Sequence, residues 1–447
     1  MSRWIGLCGL GAVLCSGGSA ALFHLAETRA TAAWLVPIAL IWGAFALGGA
    51  RISARLDARE LSAGPTLLVI VAVAALIRAP LLGTPPLLSD DVYRYLWEGL
   101  AMNAGHNPFA VPPAAIDGLD NALRDRVNHG ELTTIYPPLA LVWFRLISAL
   151  GGTVFIAQMA AVVADLAIVG AIAAYGRKVG NGIWPAVLYA LHPLPALESA
   201  CGAHIDTPAI ALAALACVAW IHQSARFGIA AAVAGVAVKL LPALLLPALM
   251  RRAGWRGVAV VLGATAVAGL LTVPYLSAGE GLFSSFAVYT DTWSFNGFAF
   301  PVLVAIVGWP ARYLLIVVGL GVGVWTVARN MDPVKTWFWV GSAFVLLSPT
   351  VHPWYVLWAL VPALLIGSWG WAAAAIPLLG AYAVLGTLDE AGGWSEGLWL
   401  WAATWPPALF LLALERLQPP VDSEAPPSHT PRQTGEETEE TPDSRSR

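Results

Sequence analysis

Apolar segments of about 20 residues follow one another along most of the chain, and short stretches between them carry the charged residues. A helix of about 20 apolar residues is long enough to cross the hydrocarbon core of a bilayer. The pattern therefore predicts an all-α polytopic membrane protein. About 12 transmembrane helices are expected, near residues 4–23, 31–50, 65–82, 154–176, 183–199, 208–223, 257–275, 311–328, 337–350, 355–370, 372–387 and 397–414.

One apolar segment, 227–250, has basic residues at both ends, with Arg226 before it and Arg251 and Arg252 after it. Basic residues favour the cytoplasmic side of a membrane, so a single straight helix cannot satisfy both ends. The segment is expected to be a broken hairpin that turns near residues 239–242, where Pro242 interrupts the helix. Interrupted helices at membrane depth usually line a cavity.

The basic residues also predict the orientation of the chain. Arg51, Arg55 and Arg59 lie between the second and third spans, which places that loop inside. The long loop 83–135 is then extracytoplasmic, and a short helix at 137–150 is expected to follow the outer interface. Both termini are expected inside, and the first span is expected to be retained rather than cleaved as a signal peptide.

Three regions follow from this pattern. Residues 1–64 form an N-terminal helical hairpin and inner loop, and residues 65–417 form the main transmembrane domain with the large outer loop 83–135. The segment 418–447 is rich in Pro, Ser, Thr and Glu, so a disordered cytoplasmic tail is expected.

Composition supports the membrane assignment, because 58% of the 447 residues are hydrophobic and only 11% are charged. Soluble domains carry about 25% charged residues. The net charge of −3 gives no indication of a nucleic-acid partner. The four cysteines have no CxxC spacing, so neither a disulfide framework nor a metal knuckle is expected.

The first candidate for chemistry is the adjacent pair Asp90 and Asp91, just after the third predicted span. Ser89 can cap a helix there, and the helix dipole would keep carboxylates in the first turn ionised. Arg94 lies four residues after Asp90 and is expected to reach back to it. An ionised carboxylate is a candidate general base. On residue types alone, capping acids on an interfacial helix are the more common explanation.

The outer turn at 200–207 contains the second candidate, His204 and Asp206. Ionisable residues at membrane depth suggest function. No third ligand lies nearby in the sequence, so hydrogen bonding to a substrate is favoured over metal binding. The alternative is a helix-capping Asp206 beside an interfacial His204.

The order of these and further motifs is informative over residues 80–365. It runs through SDDVYRYLWEG at 89–99, AGHNPF at 104–109, RVNH at 126–129, TIYPPL at 134–139, LHPL at 191–194 with Glu198, AHID at 203–206, VKLLP at 238–242, SP at 348–349 and HPWY at 352–355. This order resembles the bacterial polyprenol-phosphate-mannose-dependent mannosyltransferases of the GT-C superfamily and related multispanning glycosyltransferases.

The resemblance implies a GT-C-type fold, a polyprenyl-phosphate sugar donor and inversion at the anomeric carbon. It implies a lipid or glycan acceptor and an active site on the extracytoplasmic face of a bacterial-type cell membrane. No cofactor is required for this chemistry, and a divalent cation stays open. The acidic pair maps onto Asp90 and Asp91 as catalytic residues, with Asp90 favoured as the base. The expected substrate-binding residues are Arg94, Tyr95, Asn107, Tyr136, Glu198, His204, Asp206, Lys239, His352 and Tyr355.

The chain departs from the family pattern at Ala203-His204-Ile205-Asp206, where related sequences often have Gly-His-Asn-Asp. The missing amide leaves the donor sugar open, with mannose favoured. Lys239 is expected to bind the donor phosphate. Snorkelling to an interface, or pairing with Asp165 or Glu198, is the alternative.

Two other functions are compatible with parts of the pattern. A secondary transporter would also use broken helices and a buried lysine, but it is expected to have an inverted repeat, and the sequence shows none. A lipid-linked glycan or phosphosugar transferase would share the architecture and differ in the donor. The aromatic residues Trp354 and Tyr355 could also belong to an interfacial belt.

Overall fold

The structure is a computed structural model that describes residues 2–26, 28–55, 64–388, 393 and 395–417. Within these ranges the regular secondary structure is helical, apart from isolated β-bridges that join Phe295 and Asn296 to Thr350. Arg59 and the segment 418–447, for which an inner position was predicted, lie outside the described residues.

The first half of the chain supplies the helices that surround the loop 83–135. They are α1 (Ser2–Leu25), α2 (Arg29–Ala32), α3 (Leu35–Ala54), α4 (Gly64–Arg78), α5 (Asp91–Asn103), α6 (Asn121–Arg124), α7 (Pro138–Ala149), α8 (Val154–Val179), α9 (Trp184–Leu191), α10 (Pro193–Ala200), α11 (Asp206–Ile221) and α12 (Ala225–Val238).

The second half continues the bundle. Its helices are α13 (Leu246–Thr272), α14 (Gly281–Thr292), α15 (Phe300–Val307), α16 (Ala311–Ala328), α17 (Pro333–Leu347), α18 (Leu357–Leu365), α19 (Gly370–Leu378) and α20 (Leu398–Leu417). Short 3₁₀ segments extend several of them, at Ala79–Leu81, Leu241–Leu245, Val273–Ala278, Pro353–Val356 and Leu379–Thr387.

Seven helical segments in the described part of the chain are long and apolar enough to cross a membrane. Six further apolar helices have 10–17 residues. Apolar side chains also point away from the protein, as Val317 and Val324 on α16 do with exposed fractions of 64% and 69%. The chain is therefore a polytopic membrane protein. The seven long spans are Arg3–Leu25, Arg29–Ala54, Val154–Val179, Leu241–Ala278, Ala311–Ala328, Gly370–Thr387 and Leu398–Leu417.

The seven long spans match seven of the twelve predicted ones, and four others, at 65–82, 208–223, 337–350 and 355–370, match shorter apolar helices. The total of twelve stays a prediction. The span expected at 183–199 is two helices, α9 and α10, which meet at His192 with ψ 136°. Pro193 causes this break, since the residue before a proline is pushed out of the helical region. The helix α14 lies between the spans predicted at 257–275 and 311–328.

The predicted hairpin is present. The chain leaves α12 at Lys239, whose φ of −154° and ψ of 139° are extended, and returns through the 3₁₀ segment into α13. A Cβ on Gly235 would lie 3.1 Å from Pro242, and one on Gly228 would lie 3.5 Å from Leu249. The two arms therefore run antiparallel in close contact, and small residues permit that approach.

The inner loop expected after this hairpin is instead part of α13. Arg251 and Arg252 lie on the helix, and a kink at Gly254, with φ 55° and ψ −144°, separates the hairpin arm from the following apolar stretch. Glycine accepts this positive φ without a steric cost from Cβ.

A buried ion pair joins three helices below the loop 83–135. Arg78 Nε of α4 lies 2.6 Å from Asp165 Oδ2 of α8, and the Tyr189 hydroxyl of α9 donates to the other oxygen at 2.8 Å. Arg78 also donates to the Ala190 carbonyl oxygen at 2.7 Å. Removing one partner of such a pair typically costs about 3–5 kcal/mol. Asp165 is therefore occupied and is not the partner of Lys239.

Candidate active site

One cavity of about 430 Å³ collects most of the predicted site residues. Its walls come from the start of α5, the segment 128–137, the start of α11, the break at Lys239, α14 and the segment 348–358. The predicted residues that line it are Asp90, Asp91, Arg94, Tyr95, Tyr136, Asp206, Lys239, His352 and Tyr355. The hypothesis that Trp354 and Tyr355 form an interfacial belt does not fit, because both side chains are buried at this cavity.

Asp90 is held from two sides. Its Oδ2 lies 2.7 Å from Arg29 Nη1, and its Oδ1 accepts a hydrogen bond of 2.8 Å from Asn128 Nδ2. Arg29 belongs to α2 in the N-terminal region and donates to the Leu87 carbonyl oxygen as well. Both carboxylate oxygens of Asp90 are therefore engaged. The expected pair between Arg94 and Asp90 is wrong, since Arg29 occupies that position.

Asp91 is less constrained. Its Oδ1 accepts from Asn128 Nδ2 at 3.1 Å, whereas its Oδ2 lies 3.8 Å from His204 Nδ1, too far for a hydrogen bond. The Ser89 hydroxyl accepts from the Asp91 N–H at 3.3 Å, and α5 begins at Asp91. Asp90 thus precedes the helix rather than lying in its first turn. Oδ2 of Asp91 is available to a group in the cavity.

Arg94 organises the segment behind the acidic pair. Its guanidinium donates to the carbonyl oxygens of Asn128 at 2.5 Å and His129 at 2.7 Å, and it lies 3.4 Å from Glu98. Glu98 accepts a second hydrogen bond, of 2.8 Å, from Thr134. Burial raises the pKa of Glu98, and Arg94 opposes that rise. Arg94 therefore fixes the backbone that presents Asn128 to both aspartates.

Lys239 has a partner that the sequence did not indicate. Its Nζ lies 2.7 Å from Asp206 Oδ2 and 4.9 Å from the centre of the Tyr355 ring. The indole N–H of Trp358 donates to the other oxygen of Asp206 at 2.6 Å. The Lys239 side chain is 28% exposed, whereas that of Asp206 is 1% exposed. Lys239 thus presents a cation to the cavity while Asp206 anchors it from behind.

His204 and Glu198 lie behind the cavity wall and do not line it. The His204 ring is fully buried and stacks on Trp354 with centroids 3.9 Å apart. Its Nε2 lies 3.2 Å from Glu198 Oε2, out of line for a good hydrogen bond, and the Tyr382 hydroxyl donates to Glu198 Oε1 at 2.8 Å. The alternative of an interfacial His204 is wrong, because this histidine is in the interior.

Trp354 carries a second histidine on its other face. The His352 ring is parallel to the indole, with an interplanar angle of 2° and centroids 4.3 Å apart, and Phe295 stacks on the far side of His352. Burial lowers the pKa of His352 to about 3, and the nearby charges of His204 and Lys239 act in the same direction. His352 is therefore a neutral ring at physiological pH.

Asn107 is the predicted residue farthest from this arrangement. Its amide donates to the Tyr275 carbonyl oxygen at 3.2 Å and to the Ser277 hydroxyl at 3.1 Å, and its own carbonyl accepts from the Phe109 N–H. These bonds tie the loop 83–135 to the 3₁₀ segment Val273–Ala278 that follows α13. The contacts give Asn107 a structural position.

Several cavity residues were missed by the sequence-based selection. Asn128 belongs to the motif RVNH at 126–129, and its polar side chain was the feature of the sequence that could have indicated a place in the site. Arg29 gave none, because it is 61 residues from Asp90. Trp358 and Tyr382 are aromatic residues within apolar stretches, where such residues are common. Within the described ranges, no three His, Cys, Asp or Glu side chains converge closely enough to hold a metal ion.

Comparison with known proteins gives one result for the first half of the chain. A family model described as "Alpha-(1->6)-mannopyranosyltransferase, N-terminal domain" (MptA_B family) matches residues 3–254. Searches of curated proteins and of solved structures found no match. The matched part contains Asp90, Asp91, His204 and Lys239, and later residues such as His352 complete the cavity.

Proposed function

We propose that this chain, which belongs to the MptA_B family of alpha-(1->6)-mannopyranosyltransferases, transfers mannose from a polyprenyl-phosphate donor to a hydroxyl of a lipid-linked or glycan acceptor. The observation that carries the proposal is the single cavity that holds both a carboxylate with a free oxygen, Asp91, and a cation, Lys239. A transferase of this class needs a base for the acceptor and a positive charge for the leaving phosphate.

The linkage in the family description constrains the donor. In a single displacement, the acceptor oxygen attacks C1 of mannose from the face opposite the phosphate. The new C1–O bond forms while the bond from C1 to the phosphate oxygen breaks, so the anomeric configuration inverts. An α-linked product therefore requires a β-linked mannosyl phosphate, and the nucleophile is the 6-hydroxyl of a mannoside.

Asp91 is the better candidate for the base, although the sequence favoured Asp90. Asp90 already accepts from Arg29 and Asn128, so both of its oxygens are engaged and neither is free for an acceptor hydroxyl. Asp91 shares only the Asn128 contact through Oδ1, which leaves Oδ2 for the acceptor hydroxyl. In this proposal Asp90 fixes the position of Asn128, and Asn128 fixes Asp91.

The end of the cavity near Lys239 suits the donor lipid. Val238, Leu240 and Leu241 line it beside the lysine, and Phe286 and Phe344 add aromatic surface. Leu240 is 53% exposed, so this end is accessible to a hydrocarbon chain. The phosphate would share Lys239 with Asp206. A lipid phosphate is a fair leaving group, and Lys239 supplies a positive charge to it. The proposed transfer therefore requires no metal ion.

The reaction is assigned to the extracytoplasmic side of the cell membrane. Asp90 and His352 line the same cavity and His204 lies directly behind its wall, which supports a common side of the bundle for the three residues. Arg51 in the last turn of α3 and Arg55 directly after this helix favour the inside for the opposite ends of the helices. A polyprenyl-phosphate donor, rather than a soluble sugar nucleotide, is consistent with that side.

The test uses the purified protein in lipid nanodiscs with synthetic polyprenyl β-mannosyl phosphate and octyl α-mannoside. We expect an α-(1→6) product, identified by NMR, and no product from GDP-mannose or with the 6-deoxy acceptor. Asp91→Asn should lower kcat by about 10²–10⁴. Asp90→Asn should cost less, about tenfold, because it acts through positioning.

The control is Asp117→Asn, which changes a carboxylate of the same outer loop with a side chain 87% exposed. It should match the wild type. Transfer from GDP-mannose but not from the lipid donor would refute the donor assignment. Wild-type turnover by Asp91→Asn would place the base elsewhere.

A further inference from the structure

A row of polar side chains leads away from the free oxygen of Asp91 into the protein. His204 Nδ1 lies 3.8 Å from Asp91 Oδ2, His204 Nε2 lies 3.2 Å from Glu198 Oε2, and the Tyr382 hydroxyl donates to Glu198 Oε1 at 2.8 Å. His204, Glu198 and Tyr382 are 0%, 1% and 4% exposed. Buried charges are costly unless they are paired, so this row needs an explanation beyond packing.

The turn before α11 is shaped around the His204 ring. Ala203 has a positive φ of 51°, which is uncommon for a residue with a Cβ. A Cβ on Gly202 would lie 2.5 Å from His204 Cδ2 and 2.7 Å from Nε2. The turn therefore keeps a strained residue and an obligatory glycine so that the imidazole can lie beside Glu198. Strain of this kind is concentrated at functional sites.

His204 lies between two carboxylates. One carboxylate lies near each ring nitrogen, and the indole face of Trp354 covers the ring at 3.9 Å. If the neutral ring accepts a second proton from Asp91, the carboxylates and the aromatic face can stabilise the resulting charge. His352, on the other face of Trp354, forms no ion pair within the described part of the chain, and burial lowers its pKa to about 3. The two histidines therefore have different surroundings.

We propose that His204 and Glu198 form a proton relay behind Asp91 and do not contact the sugar, an inference that rests on the proposed function. In the resting state His204 carries its proton on Nε2, toward Glu198, and its Nδ1 lone pair faces Asp91. Glu198 and Tyr382 hold the ring in this tautomer, which makes them positioning residues.

The proton balance is simple. Asp91 Oδ2 takes the proton of the acceptor hydroxyl as the C1–O bond forms and the electron pair of the broken bond leaves with the phosphate. Asp91 passes that proton to Nδ1 of His204, which becomes an imidazolium between two carboxylates. As the products leave, the proton returns through Asp91 to water or to the released phosphate, and the carboxylate of Asp91 is restored. The gap of 3.8 Å must shorten for this transfer, as catalytic contacts often do when substrate binds.

The first experiment separates a relay from a sugar contact. His204→Gln and Glu198→Gln should each lower kcat about 10–100-fold, while KM for donor and acceptor changes less than about twofold, because neither side chain lines the cavity. A raised KM at unchanged kcat would overturn the relay.

Gly202→Ala tests the geometry without removing a titratable group. The added methyl displaces the His204 ring, so kcat should fall as in His204→Gln with both KM values unchanged. Gly170→Ala on α8 is the matched control, because a Cβ there has no atom within 4 Å. Normal turnover by Gly202→Ala, with the protein folded as judged by its unfolding midpoint, would refute the need for this ring position.

A second readout does not depend on turnover. Nuclear magnetic resonance of ¹⁵N-histidine protein in nanodiscs follows the protonation of the eight histidines, and His204→Gln identifies the signals of His204. In Glu198→Gln, the tautomer of His204 that carries its proton on Nε2 should become less populated, because the carboxylate beside Nε2 is lost. An unchanged tautomer would refute the relay, whereas an inactive wild type would refute the proposed function, so the two failures are distinguishable.

Discussion

Replacing Lys239 probes two interactions together, because the same Nζ pairs with Asp206 at 2.7 Å and faces the part of the cavity assigned to the donor phosphate. Asp206 is nearly inaccessible and also accepts from Trp358 at 2.6 Å. Lys239→Met alone would therefore leave a buried carboxylate without its cation. A loss of activity in that variant would not by itself identify a phosphate site.

The double variant Lys239→Met with Asp206→Asn removes this ambiguity. Breaking a fully buried ion pair costs about 3–5 kcal/mol, but Lys239 is 28% exposed and solvent screens part of the interaction. We expect Lys239→Met to destabilise the protein by about 1–3 kcal/mol. The double variant should recover most of that loss, because the amide leaves no unpaired buried charge and Trp358 can still donate to it.

The variants should rank differently in their affinity for the donor than in their stability. A hydrogen bond to a charged group contributes about 1.5–3 kcal/mol, and 1.4 kcal/mol corresponds to a tenfold change in Kd. Lys239→Met and the double variant should therefore bind polyprenyl phosphate about 10–100-fold more weakly than the wild type. Asp206→Asn should bind it as well as the wild type or better, because the carboxylate no longer competes for Lys239.

The assay measures the Kd for polyprenyl phosphate in nanodiscs and the thermal unfolding midpoint of all four proteins. Lys239→Arg should keep part of the affinity, since a point-charge contact depends on charge more than on shape. Wild-type affinity in the stable double variant would refute the phosphate assignment and leave the Asp206 pair as the sole role of Lys239.

Two further predictions concern pH and orientation. Because the folded protein holds the pKa of His352 at about 3 against an ordinary value of 6.5, the unfolded chain binds a proton first as the pH falls. Stability should therefore decrease from about pH 6.5 toward pH 3, and His352→Gln should flatten that part of the curve of unfolding midpoint against pH; an unaltered curve would contradict the buried neutral ring. In a background without the four native cysteines, His129→Cys, at a side chain 52% exposed, should react with impermeant thiol reagents from outside and Arg226→Cys only from inside; the reverse pattern would invert the proposed orientation.

Much of the architecture follows from local sequence. The long apolar segments predict the helical spans, because each span in a bilayer must satisfy its own backbone hydrogen bonds. Basic residues at both ends of 227–250 predict the turn at Lys239, and the structure confirms it. Pro193 accounts for the break between α9 and α10. This proline is visible in the sequence, but the prediction of a single span at 183–199 did not take it into account.

The acidic pair shows where local information ends. Its place beside the start of α5 was predictable, but the choice between Asp90 and Asp91 depends on Arg29 and Asn128, which are 61 and 38 residues from Asp90. The same holds for Lys239, whose partner Asp206 lies 33 residues away, rather than at either of the predicted positions.

The sequence by itself therefore determined that this chain spans a membrane as helices, where the segment 227–250 turns, and which residue types are candidates for a base and a cation. The tertiary structure decided which of these groups meet and which of them face the cavity. The physical reason is that the partners of these groups are far away in the sequence, so only the packing of the helices brings them together. That packing engages both oxygens of Asp90, leaves Oδ2 of Asp91 available and sets His204 behind the cavity wall.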